Sequence, residues 1–261
     1  GNSDYTINSC ATSRCFFGQF NMDSEIVQDQ NVRKAIEMGI DKEGFCSVIM
    51  EGRGLPAKGA FPSSFSYGND AVETVSYDPD GAKELLEESG WTDTDGDGYV
   101  DKDGQKLTIN WLTYPTRLEQ PKLAEYAQAT LKDIGIDVVV NNTADHKTFA
   151  ESGDFDVYVS SLTTAPTGDP EYFFTSTVTG AKNYGNYQND EVTKLTEQLH
   201  QTFDTDERGK LAIELQQKIL DDDAYFFVSH LNMGIVTKSN VTGMAAHPCD
   251  YYEITADLDV E

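Results

Sequence analysis

The residues best placed to do chemistry lie in one stretch, Ser161 to Phe174 (SLTTAPTGDPEYFF). Small and hydroxyl-bearing side chains there follow a strand-like segment and precede a helix start at Asp169-Pro170. In α/β proteins, ligand contacts collect at the carboxyl ends of strands, on loops held by a rigid scaffold. Thr163, Thr164, Pro166 and Thr167 are therefore candidate ligand contacts. Tyr114 and Arg117, just past another strand, are candidates on the same positional ground.

A second constellation is Asp93-Thr94-Asp95-Gly96-Asp97-Gly98-Tyr99-Val100-Asp101. Asp93, Asp95, Asp97 and Asp101 occupy positions 1, 3, 5 and 9 of a calcium loop, with Gly96 at position 6 and Tyr99 at position 7. The bidentate Glu expected at position 12 is Gly104, and a strand rather than a helix follows. A calcium ion here would be structural, and a plain exposed turn is the other reading. The four histidines, His146, His200, His230 and His247, form neither HxxxH nor HExxH. His230 sits on a patterned strand, where it could face a site or simply fill the core. Without a nucleophile elbow, P-loop, GxGxxG or Cys-His signature, an enzyme such as an extracellular hydrolase has no residues to stand on.

Alternating strand and helix signals carry these residues, the pattern of an α/β or mixed α+β domain. Residues 5–22 read as extended. Val32, Ala35, Ile36 and Ile40 form one helical stripe, Asp41 caps a second helix, and Phe45, Val48 and Ile49 repeat the stripe. Asp78-Pro79 opens a helix that ends at Gly90. Lys106–Tyr114 reads as a strand, Pro121–Ile134 as a helix, Ile136–Val140 as a buried strand and Phe155–Leu162 as a strand. Two helices follow, marked by Val192, Leu195, Leu199 and Phe203, then by Leu211, Leu215 and Ile219. A strand pair, Phe226–Leu231 and Gly234–Thr237, leads into the tail. No repeat or linker divides residues 1–261, so one domain is expected.

With 19 Lys and Arg against 45 Asp and Glu, the net charge of −26 argues against nucleic acid or an anionic membrane as partner. No run of about 18 apolar residues is present. The opening Gly1-Asn2-Ser3 reads as an artificial start that neither indicates nor excludes secretion. Four cysteines are too few for a disulfide scaffold. Cys10 and Cys15 could pair across a tight hairpin or remain isolated thiols.

Several segments, in order, resemble the family 5 extracellular solute-binding proteins of ABC importers. Asn31–Phe45 (NVRKAIEMGIDKEGF) is similar to that family's VR-A-I-x-x-A-I-D-K segment, and Tyr77–Leu86 (YDPDGAKELL) to its YDP helix start. Gly135-Ile136-Asp137-Val138, Tyr187–Val192 (YQNDEV) and residues 205–221, with Arg208, Leu211, Gln217, Ile219 and Leu220 in register, match further motifs. Family members run to roughly twice this length in two lobes. The resemblance therefore implies a periplasmic-binding-protein-like type II fold, of which this chain would be the C-terminal lobe, residues 1–22 being crossover strands near the hinge.

What the resemblance implies about function is binding without catalysis or cofactor. A small solute, a nickel chelate or a peptide, would be captured outside the membrane and delivered to the permease of an ABC transporter. The chain would act as a monomer in an extracellular or periplasmic setting, the full-length protein anchored as a lipoprotein. Peptide-binding members carry Trp and, three residues later, an Asp that pairs with the peptide amine; those positions hold Thr163 and Pro166 here. Ala165-Pro166 before Asp169-Pro170, and the tail from Val236-Thr237-Lys238 to Tyr252-Glu253-Ile254, are closer to the nickel branch. The aromatics and the His of one nickel pattern fall at Thr163, Thr167 and near Lys182. The resemblance also brings the loop Asn183–Tyr187 against the ligand, with Tyr184 as its contact. A nickel chelate is the expected cargo and an oligopeptide the alternative. A calcium-stabilised structural or adhesion module built on the acidic loop is the alternative from another class.

Overall fold

A computed structural model describes residues 3–249 and 254–260. In chain order it contains β1 Tyr5–Phe20, α1 Gln30–Gly39, α2 Lys42–Gly44, β2 Gly54–Pro56, α3 Pro79–Glu88, β3 Asp101–Lys102, β4 Gln105–Lys106 and β5 Thr108–Thr113. These are followed by α4 Glu119–Lys132, β6 Asp137–Asn142, α5 His146–Ser152, β7 Val157–Thr163, α6 Glu171–Phe173, α7 Asp190–Gln201, α8 Thr205–Asp221, β8 Tyr225–Lys238, β9 Val241–Thr242 and β10 Asp259–Val260. Of the tail motif, Tyr252 and Glu253 lie outside the described residues.

Six strands form one mixed sheet in the order β2-β8-β1-β7-β5-β6. β5 is parallel to both β6 and β7, while β1 is antiparallel to β7 and β8. Side-chain alternation along the strands gives each face its own core. Phe16, Phe20, Trp111, Val157, Val159 and Phe226 pack under α1, α3 and α4. Phe17, Tyr225 and Phe227 pack on the opposite face against Phe173, Phe174 and the α7–α8 pair. Helices on both faces of a mixed sheet define an α/β architecture.

The short-range signals explain where the elements start. Asp29, Asp78, Asn189 and Asp204 each accept amides of the first turn of α1, α3, α7 and α8. Asp41 accepts Gly44 N–H at 2.8 Å. At Gly135, φ of +84° closes the turn between α4 and β6 in the left-handed region that glycine tolerates.

Five expectations need correction. The turn after α2 is a π-turn, Phe45–Ile49; its wider spacing buries Phe45 and Cys46 but leaves Val48 69 % exposed. β6 is an edge strand, so Val139 faces outward at 50 % exposure. Phe203 lies beyond the end of α7 and is 91 % exposed. The expected closing strand pair is one continuous strand, β8, paired with β1 along its length from Lys238 to Tyr225. Cys10 and Cys15 share β1, so no hairpin brings them together.

Candidate functional site

A cavity of about 710 Å³ opens at the carboxyl ends of β5 and β7. From β5 the chain crosses through α4 to β6 on one side, then through α5 to β7 on the other. Such a reversal leaves a crevice that the flanking helices cannot cover, the position where open α/β sheets bind ligands. The volume lies in the range of small-molecule sites.

Phe17 and Gln19 of β1 line one wall, Tyr158, Ser160, Ser161 and Leu162 of β7 the floor, and Tyr114 with residues 116–119 the approach to α4. His146 and Lys147 enter from the start of α5, and Thr177, Lys182 and Tyr184 close the remaining side. The polar groups inside are held by one another. Tyr114 Oη lies 3.2 Å from Ser161 Oγ and accepts Ser161 N–H at 3.2 Å. His146 Nδ1 is 2.7 Å from Tyr158 Oη, and the His146 ring stacks on Tyr114 with centroids 4.3 Å apart. Tyr184 meets Tyr158 edge-on at 5.6 Å. Buried Gln19 fixes that loop by accepting Tyr184 N–H at 3.0 Å. A Cβ on the adjoining Gly185 would come within 2.2 Å of the Phe20 carbonyl oxygen, so only glycine lets the loop lie so close to β1.

The charge of the cavity opposes that of the chain. Arg117, Lys147 and Lys182 line it with Glu119 as the single carboxylate among the described residues, although the net charge is −26. Burial, helped by the neighbouring Lys147 and opposed by Asp145, lowers the His146 pKa. Burial also raises the Tyr158 pKa, with Tyr114 and Tyr184 adding to the effect. Both groups are therefore neutral near neutral pH.

Of the residues singled out in the sequence, Tyr114, Arg117 and Tyr184 line the cavity, whereas Thr163, Thr164, Pro166 and Thr167 do not. Thr164 is fully buried, and its one hydroxyl hydrogen is shared between the Ser13 and Ala60 carbonyls, 2.9 and 2.7 Å away. Thr163 is also buried, Pro166 is half-buried, and exposed Thr167 rides on the turn that Gly168 closes at φ of +78°. Asp169 and Glu171 converge on Arg208: Asp169 takes its Nε and Nη2 at 2.8 and 2.7 Å, and Glu171 takes Nη2 at 2.7 Å. Burial, the largest single influence, raises both carboxyl pKa values, but the Arg208 hydrogen bonds, the Glu171 amide on Asp169, His200 on Glu171 and the Arg208 charge together hold them below the usual range. The segment thus lines the cavity at Ser161 and Leu162 and leaves it from Thr163 on.

His146, Tyr158, Lys147, Lys182 and Gln19 were not legible as site residues. One signal was available for Tyr158: on β7 it alternates with the core residues Val157 and Val159, which puts it on the opposite face. His230 is a core residue, fully buried, with Nε2 3.3 Å from Asn69 Oδ1; burial lowers its pKa to about 3.

In the acidic loop, Asp93, Asp95 and Asp101 bring carboxylate oxygens within 4.8 Å of one another. Asp97 is turned away, its carboxylate 2.7 Å from Lys106 Nζ. Asp93 accepts Gly96 and Gly98 N–H, Asp95 accepts Asp97 N–H, and Asp101 accepts Thr94 N–H and Oγ1–H. A calcium ion takes 6–8 oxygens. Three converging carboxylates, already accepting local donors and lacking the position-12 Glu, fit that demand poorly.

The profile of the bacterial extracellular solute-binding proteins, family 5, middle region, matches residues 1–185. The oligopeptide-binding protein AppA of Bacillus subtilis is 31 % identical over 260 residues, covering 95 % of this chain and 47 % of AppA. The nickel-binding protein NikA of Staphylococcus aureus is 26 % identical over 235 residues, covering 89 % of this chain and 46 % of NikA. A crystal structure of a nickel ABC transporter from Bacillus halodurans superposes with a TM-score of 0.83 at 29 % identity, covering all of this chain and 55 % of that one. The chain belongs to the family 5 bacterial extracellular solute-binding proteins, and its fold is the periplasmic-binding-protein-like fold of that family. It spans about half the length of the curated relatives it matches, 47 % and 46 % of the two above. These relatives bind solutes and are not enzymes, in agreement with the expected absence of catalysis.

Proposed function

We propose that the chain forms the C-terminal lobe of the solute-binding component of an ABC importer, and that the cavity is its half of the cargo cleft. The observation that carries this reading is the concentration of Arg117, Lys147 and Lys182 in one aromatic-walled cavity of a strongly acidic molecule. A cleft of one sign focuses the field and draws in ligands of the other. An Arg guanidinium also pairs with a carboxylate through charge-assisted hydrogen bonds. Tyr114, Tyr158 and Tyr184 add flat apolar walls with polar tips. The cargo is accordingly a compact, carboxylate-bearing solute. Closure of a second lobe would trap it, and delivery to the permease would follow outside the membrane, from a protein acting as a monomer and held by a lipid anchor.

Within that class the reading favoured here is a nickel chelate or related metal complex. Support comes from the nickel-binding relatives and from Pro166 standing where peptide carriers place their amine-pairing Asp. An oligopeptide is the second reading, favoured by an observation of its own. β5 pairs with β7 only at Trp111–Val157 and Leu112–Tyr158, so the edge of β7 beyond Tyr158 meets the cavity, where an extended peptide could add as a strand by displacing Tyr114 Oη from Ser161 N–H and Thr113 Oγ1 from the Val159 carbonyl. The 31 % identity to AppA supports it too. Isothermal titration of the full-length protein with nickel(II)–histidine, and separately with di- to nonapeptides, separates the two. Saturable binding of the nickel complex alone is expected; binding of peptides alone overturns the chelate assignment, and binding of neither overturns the cargo class.

A further inference from the structure

The fold leaves His146, at the start of α5, with one hydrogen-bond partner. Nδ1 lies 2.7 Å from Tyr158 Oη, one ring face is covered by Tyr114, and Nε2 has no protein partner among the described residues. Which ring nitrogen carries the proton is decided by Tyr158. That phenol is 3 % exposed, packed among Leu112, Ala150 and Phe155, and His146 Nδ1 is its one hydrogen-bond partner among the described residues. If Nδ1–H donated to Tyr158 Oη, the phenolic hydrogen would have no protein acceptor among the described residues, and a phenol only 3 % exposed would forgo that hydrogen bond at a cost. If Tyr158 donates instead, Nδ1 must be the unprotonated nitrogen and the ring proton sits on Nε2. Burial keeps both groups neutral, which removes the doubly protonated ring and the phenolate as escapes. With Nδ1 turned to the wall and one face on Tyr114, the Nε2 edge is the part of the ring left to meet the cavity.

We propose that Tyr158 locks His146 as the Nε2–H tautomer, so that the site offers cargo a neutral N–H donor and withholds a nitrogen lone pair from metal. Tyr158 is a positioning residue and His146 the contact. The inference rests on the cavity being the cargo site and narrows what it takes. A cargo oxygen, carboxylate or carbonyl, meets His146 Nε2–H, while a metal must arrive already saturated by its own chelator. Arg117, Lys147 and Lys182 then read the carboxylates that the chelator turns outward.

Nitrogen-15 NMR of the full-length protein with labelled histidine, free of cargo at neutral pH, reads the tautomer directly. The account expects the His146 ring, assigned by its absence from the His146→Phe spectrum, to have an unprotonated Nδ1 and a protonated Nε2, and Tyr158→Phe to shift that ring toward the other tautomer. An Nδ1–H at the His146 ring so assigned overturns the tautomer assignment whatever the cavity binds; the Nδ1–H of His200, 2.6 Å from Glu171 Oε1, is expected in the wild-type and His146→Phe spectra alike. Calorimetry with nickel(II) and two equivalents of L-histidine, and with a dipeptide, tests the contact. His146→Gln, whose amide N–H stands near the place of Nε2, should hold affinity within about threefold, and His146→Phe should lose about tenfold. Equal behaviour of the two variants overturns His146 as the donor. Cargo binding that survives Arg117→Ala as well as His146→Phe overturns the cavity assignment itself. Aqueous nickel(II) added alone should give the same absorption spectrum with wild type and His146→Phe, and a band lost in the variant would overturn the withheld lone pair.

Discussion

The cavity and the turn that follows it use similar residues to opposite ends. Around the cavity, Tyr114 and Arg117 from the loop after β5, His146 from the start of α5 and Lys182 from the segment before α7 are brought together. The Tyr114 hydroxyl is taken by Ser161, and the charged groups line open space. In the turn Thr163–Glu171 the Thr164 hydroxyl and the Asp169 and Glu171 carboxylates are consumed by the protein. The Thr163 hydroxyl is buried without a partner among the described residues, and Thr167 is exposed. Thr164 ties β1 to the segment near Ala60, and Asp169 and Glu171 clasp Arg208. The acidic loop Asp93–Asp101 belongs with the turn, since its carboxylates accept its own amides or meet Lys106. Residue type therefore says that a segment is polar, and only the partners say whether that polarity is available to a ligand.

The comparison can be broken at several points. Arg208→Ala should have the largest effect, because it strands two carboxylates and frees the Leu199 and Thr202 carbonyls. A loss of about 2–4 kcal/mol is expected in a denaturant melt, with cargo affinity little changed. A loss of affinity larger than the loss of stability would mean that the turn contacts cargo. The pH dependence follows from the same pair. The folded pKa values of Asp169 and Glu171 are depressed, so their stabilisation is present above the ordinary carboxylate value near about 4 and is lost as pH falls through the folded values. Wild type should thus lose stability on acidification more steeply than Arg208→Ala; parallel curves would contradict the ion cluster.

Asp223 gives the opposite sign. Burial raises its carboxyl to about 6, so its ionisation is a cost that grows as pH rises from about 4 through 6. Asp223→Asn, at a φ of +46° that Asn tolerates, should raise Tm at pH 8 by a few degrees, roughly 1 kcal/mol, and change little at pH 4. A loss of Tm at pH 8 would show that the charge is needed there. The smallest effect belongs to the acidic loop: EDTA should shift Tm by no more than about 2 °C, and a shift several times larger would place a structural calcium among Asp93, Asp95 and Asp101.

Local features were the most legible in the sequence. The stripe Val32, Ala35, Ile36 and Ile40 and the caps at Asp41 and Asp78 depend on neighbours within a few residues, and each is where the pattern puts it. Val48 misled because a π-turn changes the helical period. β8 was split because its apolar pattern weakens at Asn232–Gly234, where the strand runs on beyond the core with β1 as partner. The site divides in the same way. Tyr114 and Arg117 follow from their position just past a strand, and Tyr184 from the family resemblance. His146, Tyr158 and Lys182 become a group only through the crossover that returns α5 and β7 beside β5, and nothing local announces that.

The central claim is that cargo is held in the cavity at the ends of β5 and β7 and not on the Thr163–Thr167 turn. Calorimetric titration of Arg117→Ala and Thr167→Ala in the full-length protein, with the cargo that saturates wild type, tests it most directly. The account predicts that Arg117→Ala weakens binding about ten- to a hundredfold, the worth of a charge-assisted hydrogen bond. Exposed Thr167→Ala should stay within about twofold. The reverse order would contradict it.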